Sequence, residues 1–78
     1  MEKVLIYSTP YCVYCRMAKE FFAKNNVPYV EKDVASDRAA QQEMIASSGQ
    51  MGVPVIKIGE KIIIGFDQSR IKEALGLS

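Results

Sequence analysis

Apolar and polar positions follow two periods along this chain, and the switches between them mark its elements. Val4-Leu5-Ile6-Tyr7 is a short continuous apolar run ending at Ser8-Thr9-Pro10, the pattern of a buried strand. From Cys12 to about Lys24 the spacing turns helical, with Val13, Met17 and Phe21 in one row and Ala18 and Phe22 in another. Asn25-Asn26 and Val27-Pro28 close that helix, because Pro28 disfavours helical backbone at the residue before it. Pro28 to Val34 reads as a second strand, with Tyr29, Val30 and Val34 as β formers and charges at Glu31, Lys32 and Asp33. Ser36 or Asp37 then caps a helix through Ala40, Met44 and Ile45 that Gly49 stops. Two β-branched runs, Val53 to Ile58 and Lys61 to Ile64, flank Gly59-Glu60, a loop suited to a tight hairpin. Asp67 caps a last helix carrying Ile71, Ala74 and Leu75, with Gly76 just past its end.

The predicted order is βαβαββα. Strand–helix–strand at the start calls for a parallel pair with a right-handed crossover, and the closing hairpin for an antiparallel pair. The expected fold is therefore α/β, one mixed four-stranded sheet with three flanking helices, in a single domain over residues 1–78. Met17, Met44, Phe21 and Phe22 are expected in its core.

Composition narrows the chemistry. Apolar residues make up 49% of the chain, ordinary for a globular protein and too rich for disorder. The net charge of +1 is interspersed, so neither nucleic acid nor a membrane surface is an expected partner. The apolar run at Val4 to Tyr7 is too short for a signal-peptide core, so the expected setting is the reducing cytoplasm, where a close cysteine pair is catalytic or metal-binding more often than structural. There is no His, which removes Ser–His and Cys–His pairs, imidazole metal ligands and imidazole acid–base chemistry.

What remains is Cys12-Val13-Tyr14-Cys15, at the handover from the first strand to the first helix. The first amides of a helix lack intrahelical partners and carry partial positive charge, which favours a negative sulfur at Cys12. Cys15 lies three residues on, on the same helical face, in reach of Cys12. Cys12 is thus the expected nucleophile, the more exposed sulfur, and Cys15 the resolving thiol that attacks a mixed disulfide. Two other readings stand beside this one. In one the cysteines pack as small hydrophobes; in the other they form half of a zinc or iron–sulfur site, which needs about four ligands where this chain offers two Cys. No metal site is expected from these residues alone.

Other positions have a structural and a functional reading. Tyr11 and Tyr14 are half-buried aromatics or, flanking the thiols, platforms for a substrate. Val53-Pro54 is an ordinary strand start, where a proline is tolerated. Gly65-Phe66-Asp67 is a turn with an N-cap, or a helix start whose free amides hold an anion. Arg16 and Lys19 are solvated surface charges that favour a thiolate slightly.

Taken together, the chain resembles the glutaredoxins, and more narrowly the short glutaredoxin-like redoxins of prokaryotes. The resemblance spans nearly its whole length and rests on Ile6-Tyr7-Ser8, Cys12-Val13-Tyr14-Cys15 with Ala18-Lys19, Ser48-Gly49-Gln50, Val53-Pro54 and Gly65-Phe66-Asp67. It implies a thioredoxin-like fold, catalytic Cys12 and Cys15, and a cis Pro54 with Val53 offering its backbone to a substrate. The implied groove for substrate or glutathione comprises Tyr11, Val13, Tyr14, Val53, Pro54, Gly65, Phe66 and Asp67. No bound cofactor is implied, glutathione serving as a co-substrate.

Departures from the family pattern concern glutathione. Thr9 stands where a Lys or Arg is common, Gly52 where Thr is common, and Met51 where a basic residue is common. The usual Gly-Gly reads Gly65-Phe66, and Gln68-Ser69 replaces an Asp pair. Related redoxins that feed ribonucleotide reductase depart similarly and draw electrons from thioredoxin reductase. The expected activity is thus a monomeric dithiol oxidoreductase acting on protein disulfides or glutathione mixed disulfides, with glutathione or a thioredoxin-reductase-type flavoprotein as its partner. The alternatives are a redoxin serving ribonucleotide reductase and a non-catalytic iron–sulfur or metal carrier bridging two subunits through Cys12.

Overall fold

A computed structural model of the chain describes residues 3–77. Seven elements follow the predicted order: β1 (Val4–Ser8), α1 (Val13–Lys24), β2 (Val30–Asp33), α2 (Arg38–Ser48), β3 (Val55–Ile58), β4 (Lys61–Ile64) and α3 (Gln68–Leu75). The strands form one sheet in the order β2-β1-β3-β4. β1 runs parallel to β2, with Ile6 opposite Glu31, and antiparallel to β3, with Ile6 opposite Ile56. β3 and β4 close the antiparallel hairpin.

Because side chains alternate across a strand, β1, β3 and β4 each feed two cores. On one face Val4, Ile6, Ile56, Ile58 and Ile63 meet Ala18, Phe21 and Phe22 of α1 and Ile71 of α3. On the other, Tyr7 and Val55 meet Ala40 and Met44 of α2, together with Val34. Each helix begins on a side-chain acceptor. Asp37 takes the Ala40 amide at 3.1 Å and Asp67 the Arg70 amide at 3.2 Å. Gly49 and Gly76 end α2 and α3 in left-handed backbone, with φ of 74° and 72°.

Three sequence expectations are corrected. Met17 lies 42% exposed and Val13 57% exposed, so only Phe21 of their row reaches the core. The sheet runs beneath the line of Cys15, Ala18 and Phe22, all fully buried, while Phe66 covers the Phe21 end with ring centroids 5.9 Å apart. β2 is confined to Val30–Asp33, leaving Pro28 and Tyr29 outside the ladder; Tyr29 packs on Phe22 instead. β3 begins at Val55 rather than Val53, since Pro54 has no amide to give a ladder.

Candidate active site

The C-terminal end of β1 delivers the chain to the start of α1, and the turn Thr9-Pro10-Tyr11 connects them, with the Cys12 amide donating to the Thr9 carbonyl at 3.4 Å. Cys12 is itself the N-cap residue of α1, in extended backbone. Its Sγ accepts the Cys15 amide at 3.1 Å, in the place an Asp or Ser oxygen takes at other helix starts. On its other side the thiol donates to the Val53 carbonyl across 3.8 Å. The sulfur therefore sits between a helix start and the loop before β3.

The two thiols differ in setting. Cys12 is partly exposed and Cys15 is fully buried; both are unbridged. Burial pushes the Cys15 thiol up to about 12, and its contact with Cys12 adds to the rise. The Thr9 backbone and the charge of Lys19 act against it.

Val53 and Pro54 are joined by a cis peptide bond, and Pro54 is buried. The Pro54 carbonyl accepts the Gly65 amide at 2.8 Å, which ties the exit of β4 to this loop. Gly65 has a φ of 82°, backbone that a Cβ would strain. Phe66 then turns inward onto Phe21, and the Asp67 carboxylate is engaged as the cap of α3.

A shallow cleft of about 260 Å³ opens at Cys12, lined by Pro10, Tyr11, Val13 and Arg16. Tyr11 is 95% exposed and Tyr14 62% exposed, so neither is a half-buried aromatic. Tyr14 is not among the residues lining this cleft, and Gly65 joins the site through Pro54 rather than through the sulfur. Of Arg16, Lys19 and Arg70, Arg16 alone lines the cleft. Lys19 is paired with Glu31 at 2.8 Å, and Arg70 lines a separate cleft with Lys61 and Glu73.

Two arrangements escaped the sequence reading. The Gln50 side chain folds onto Gly52, accepting its amide at 2.7 Å and donating to its carbonyl at 3.0 Å. Glu31 accepts from both Lys19 and the fully buried Ser8, the latter at 2.6 Å. Nothing in the periodic pattern marked either, since the first is a loop side chain bonding backbone and the second joins residues of β1, α1 and β2 far apart in the chain. Among the described residues no group of three His, Cys, Asp or Glu side chains gathers as a metal site. A metal or cluster at Cys12 would draw its remaining ligands from outside the chain.

The glutaredoxin family model matches residues 4–63, from β1 through the hairpin and including both cysteines and Pro54. The chain belongs to the glutaredoxin family. A glutaredoxin-like 8.6 kDa protein in the rubredoxin operon of Clostridium pasteurianum is 40% identical over 72 residues, spanning 92% of this chain and 96% of that one. Glutaredoxin 3 of Escherichia coli is 34% identical over 76 residues, spanning 97% of this chain and 92% of that one. Among solved structures, a mutant of the thioredoxin-like protein BC3987 superposes with a TM-score of 0.92 at 31% identity, covering 100% of both chains. Family and fold together make this glutaredoxin-family chain a thiol–disulfide redox protein, and no helix among its described residues is long and apolar enough to cross a membrane.

Proposed function

We propose that this protein is a dithiol oxidoreductase that reduces disulfides in proteins, with Cys12 as nucleophile and Cys15 as resolving thiol. The observation that carries this reading is the contact of the Cys15 amide with Cys12 Sγ at 3.1 Å above a fully buried Cys15. In the first step the Cys12 sulfur attacks a substrate disulfide, and one substrate sulfur leaves as a thiolate that takes up a proton. Cys15 then attacks the Cys12 sulfur of the mixed disulfide, and the second substrate sulfur leaves. The two electrons of the dithiol have passed to the substrate, and Cys12 and Cys15 are joined.

The surroundings favour a peptide as the substrate. When Cys12 loses its proton, the Val53 carbonyl is released to accept an amide from an extended segment, as in strand addition. Tyr11, Val13, Tyr14 and Met51 all stand exposed at this end of the molecule, an apolar rim for residues flanking the substrate cysteine. The Gly65 amide on the Pro54 carbonyl ties down the loop that carries Val53, and Gly65, Phe66 and Asp67 border the proposed groove. The proposed setting is a reducing cytoplasm, where the dithiol form is the resting state.

For the electron donor, the same rim argues against tight glutathione binding. Glutathione carries two carboxylates and an amine, and the Cys12 cleft offers Arg16 as its one cation. Each missing charged hydrogen bond removes about 1.5–3 kcal/mol, about tenfold or more in affinity. Reduction by a thioredoxin-reductase-type flavoprotein is therefore at least as efficient as reduction by glutathione. Steady-state reduction of one protein disulfide, driven in turn by glutathione with glutathione reductase and by thioredoxin reductase, tests this. Glutathione-driven turnover far above the flavoprotein-driven rate would overturn the assignment of the donor.

A further inference from the structure

The resolving step asks a buried thiol to become a nucleophile, and this chain has no His to take its proton. Cys15 is fully buried, and burial holds it in its neutral form. Its surroundings hold few compensating groups. From α1 it faces Cys12, which disfavours a second negative sulfur, and Lys19, four residues on and on the same side of the helix. The Thr9 backbone approaches from the preceding turn. The loop that meets the thiols, through the Val53 carbonyl on Cys12, brings no charge at Val53 or Pro54.

Lys19 is held in place. Its ammonium meets Glu31 Oε2 at 2.8 Å, and that same oxygen accepts the Ser8 hydroxyl at 2.6 Å. Ser8 is the last residue of β1 and is fully buried, so the chain Ser8–Glu31–Lys19 anchors a cation from the sheet to the helix face that carries Cys15. Tyr29 lies near Lys19, and Asp33 near Glu31. Lys19 has its affinity for a proton raised by Glu31, so it stays charged throughout the reaction.

We propose that Lys19, tethered by Glu31 and Ser8, is the positioning residue that makes Cys15 ionisable in the resolving step. The inference rests on the dithiol reading above. In the mixed disulfide Cys12 carries no charge, so the one group opposing ionisation of Cys15 besides burial is gone, and the field of Lys19 acts alone with the Thr9 backbone. Cys15 loses its proton, its sulfur forms a bond to Cys12 Sγ, and the bond from Cys12 to the substrate sulfur breaks. The departing thiolate takes a proton back, so no oxidant and no net proton is required. Glu31 is the complement of this device, holding the Lys19 ammonium through their 2.8 Å ion pair.

The test loads Cys12 with 2-nitro-5-thiobenzoate as a mixed disulfide and follows release of the coloured thiol by Cys15 at a series of pH values. Lys19→Met keeps the apolar stem and removes the charge. It is expected to move the pH profile of release upward by about one unit, making release about tenfold slower near neutrality. Lys19→Arg should restore the wild-type profile, and Glu31→Gln should shift it by less than Lys19→Met does. A Lys19→Met profile that overlays wild type overturns the proposal. So does a Lys19→Arg profile displaced as far as that of Lys19→Met, which would make the role one of packing. Wild-type protein that releases no chromophore without an added thiol overturns the dithiol reading itself, and the role of Lys19 with it.

Discussion

At each helix start in this molecule a side chain accepts the amide three residues on, and at one of them that side chain is a sulfur. Asp37 and Asp67 do this with oxygen at 3.1 and 3.2 Å, and Cys12 with Sγ at 3.1 Å. The sulfur proposed as the nucleophile is thus built into the backbone hydrogen bonding of α1, which helps fix its direction. Serine at position 12 can keep that cap, since Ser is among the preferred N-cap residues, and lose only the redox chemistry. Cys12→Ser is expected to fold with stability within about 1 kcal/mol of wild type and to form no adduct with a disulfide substrate. Cys15→Ser is expected to accumulate a mixed disulfide at Cys12, because the attacking sulfur of the second step is gone. Intact-mass measurement after exposure to substrate distinguishes the two; an adduct on Cys12→Ser and none on Cys15→Ser would reverse the roles. The placement of the two cysteines at a strand–helix junction was legible in the chain because the switch of period there marks where β1 ends and α1 begins. The exposure of Met17 was not, since a helix row says which residues align and not which row meets the sheet.

Between elements, the segment 49–54 sets where the Val53 carbonyl stands, and its conformation is fixed by contacts no periodicity encodes. Gly49 ends α2 in left-handed backbone, a role its identity announced. Gln50 then folds back to bond both backbone groups of Gly52, and its amide also approaches Ser48 at 3.4 Å. A Cβ at Gly52 would meet Gln50 Oε1 at 2.8 Å, so the clasp exists because position 52 is glycine. The glycine at position 52 thus has a local consequence that the sequence alone presents only as a missing side chain. Gln50→Ala is expected to speed exchange of the Gly52 amide, which loses its acceptor, while global stability falls by no more than about 1 kcal/mol, since the segment is solvent-accessible. Gly52→Ala is expected to have the same effect on the loop by expelling the Gln50 carboxamide. Hydrogen exchange read residue by residue checks both, and an unchanged Gly52 rate in Gln50→Ala would mean that the clasp holds no part of the loop. The strands and helices were readable because each obeys one period; this loop was not, because its order comes from side chain to backbone bonds.

Over the whole molecule, the groups whose proton affinity is moved by folding set a stability profile with two limbs. Lys19 and then Ser8 hold the Glu31 carboxyl below its ordinary 4.5, so folding favours its charged form. That contribution is present above 4.5 and is lost as pH falls through the lower folded value. Glu43 is lowered likewise by Lys32 and Tyr7, but lies exposed and adds little. On the alkaline side, burial raises Cys15 from 9.0 to about 12, and burial with the Glu43 hydrogen bond raises Tyr7 from 10.0 to about 12. Both groups are neutral when folded, so the stability they contribute is fully present below their unfolded values. It is lost progressively as the unfolded chain ionises first, from 9.0 for Cys15 and 10.0 for Tyr7, toward about 12. The reduced protein is therefore expected to be most stable between about pH 5 and 9. Joining Cys12 to Cys15 removes the thiol from this balance, because a disulfide sulfur has no proton to lose. The oxidised form should hold its stability until Tyr7 begins to matter, so its alkaline limb starts about one pH unit later than that of the reduced form. Urea unfolding midpoints for both forms across the alkaline range measure the offset, and Tyr7→Phe in the oxidised form should flatten what remains. Superimposed alkaline limbs for the two redox states would mean that Cys15 is not held as a neutral buried thiol. That same burial is what creates the need for a cation beside it, so the stability profile and the rate of disulfide resolution report on one feature of the fold.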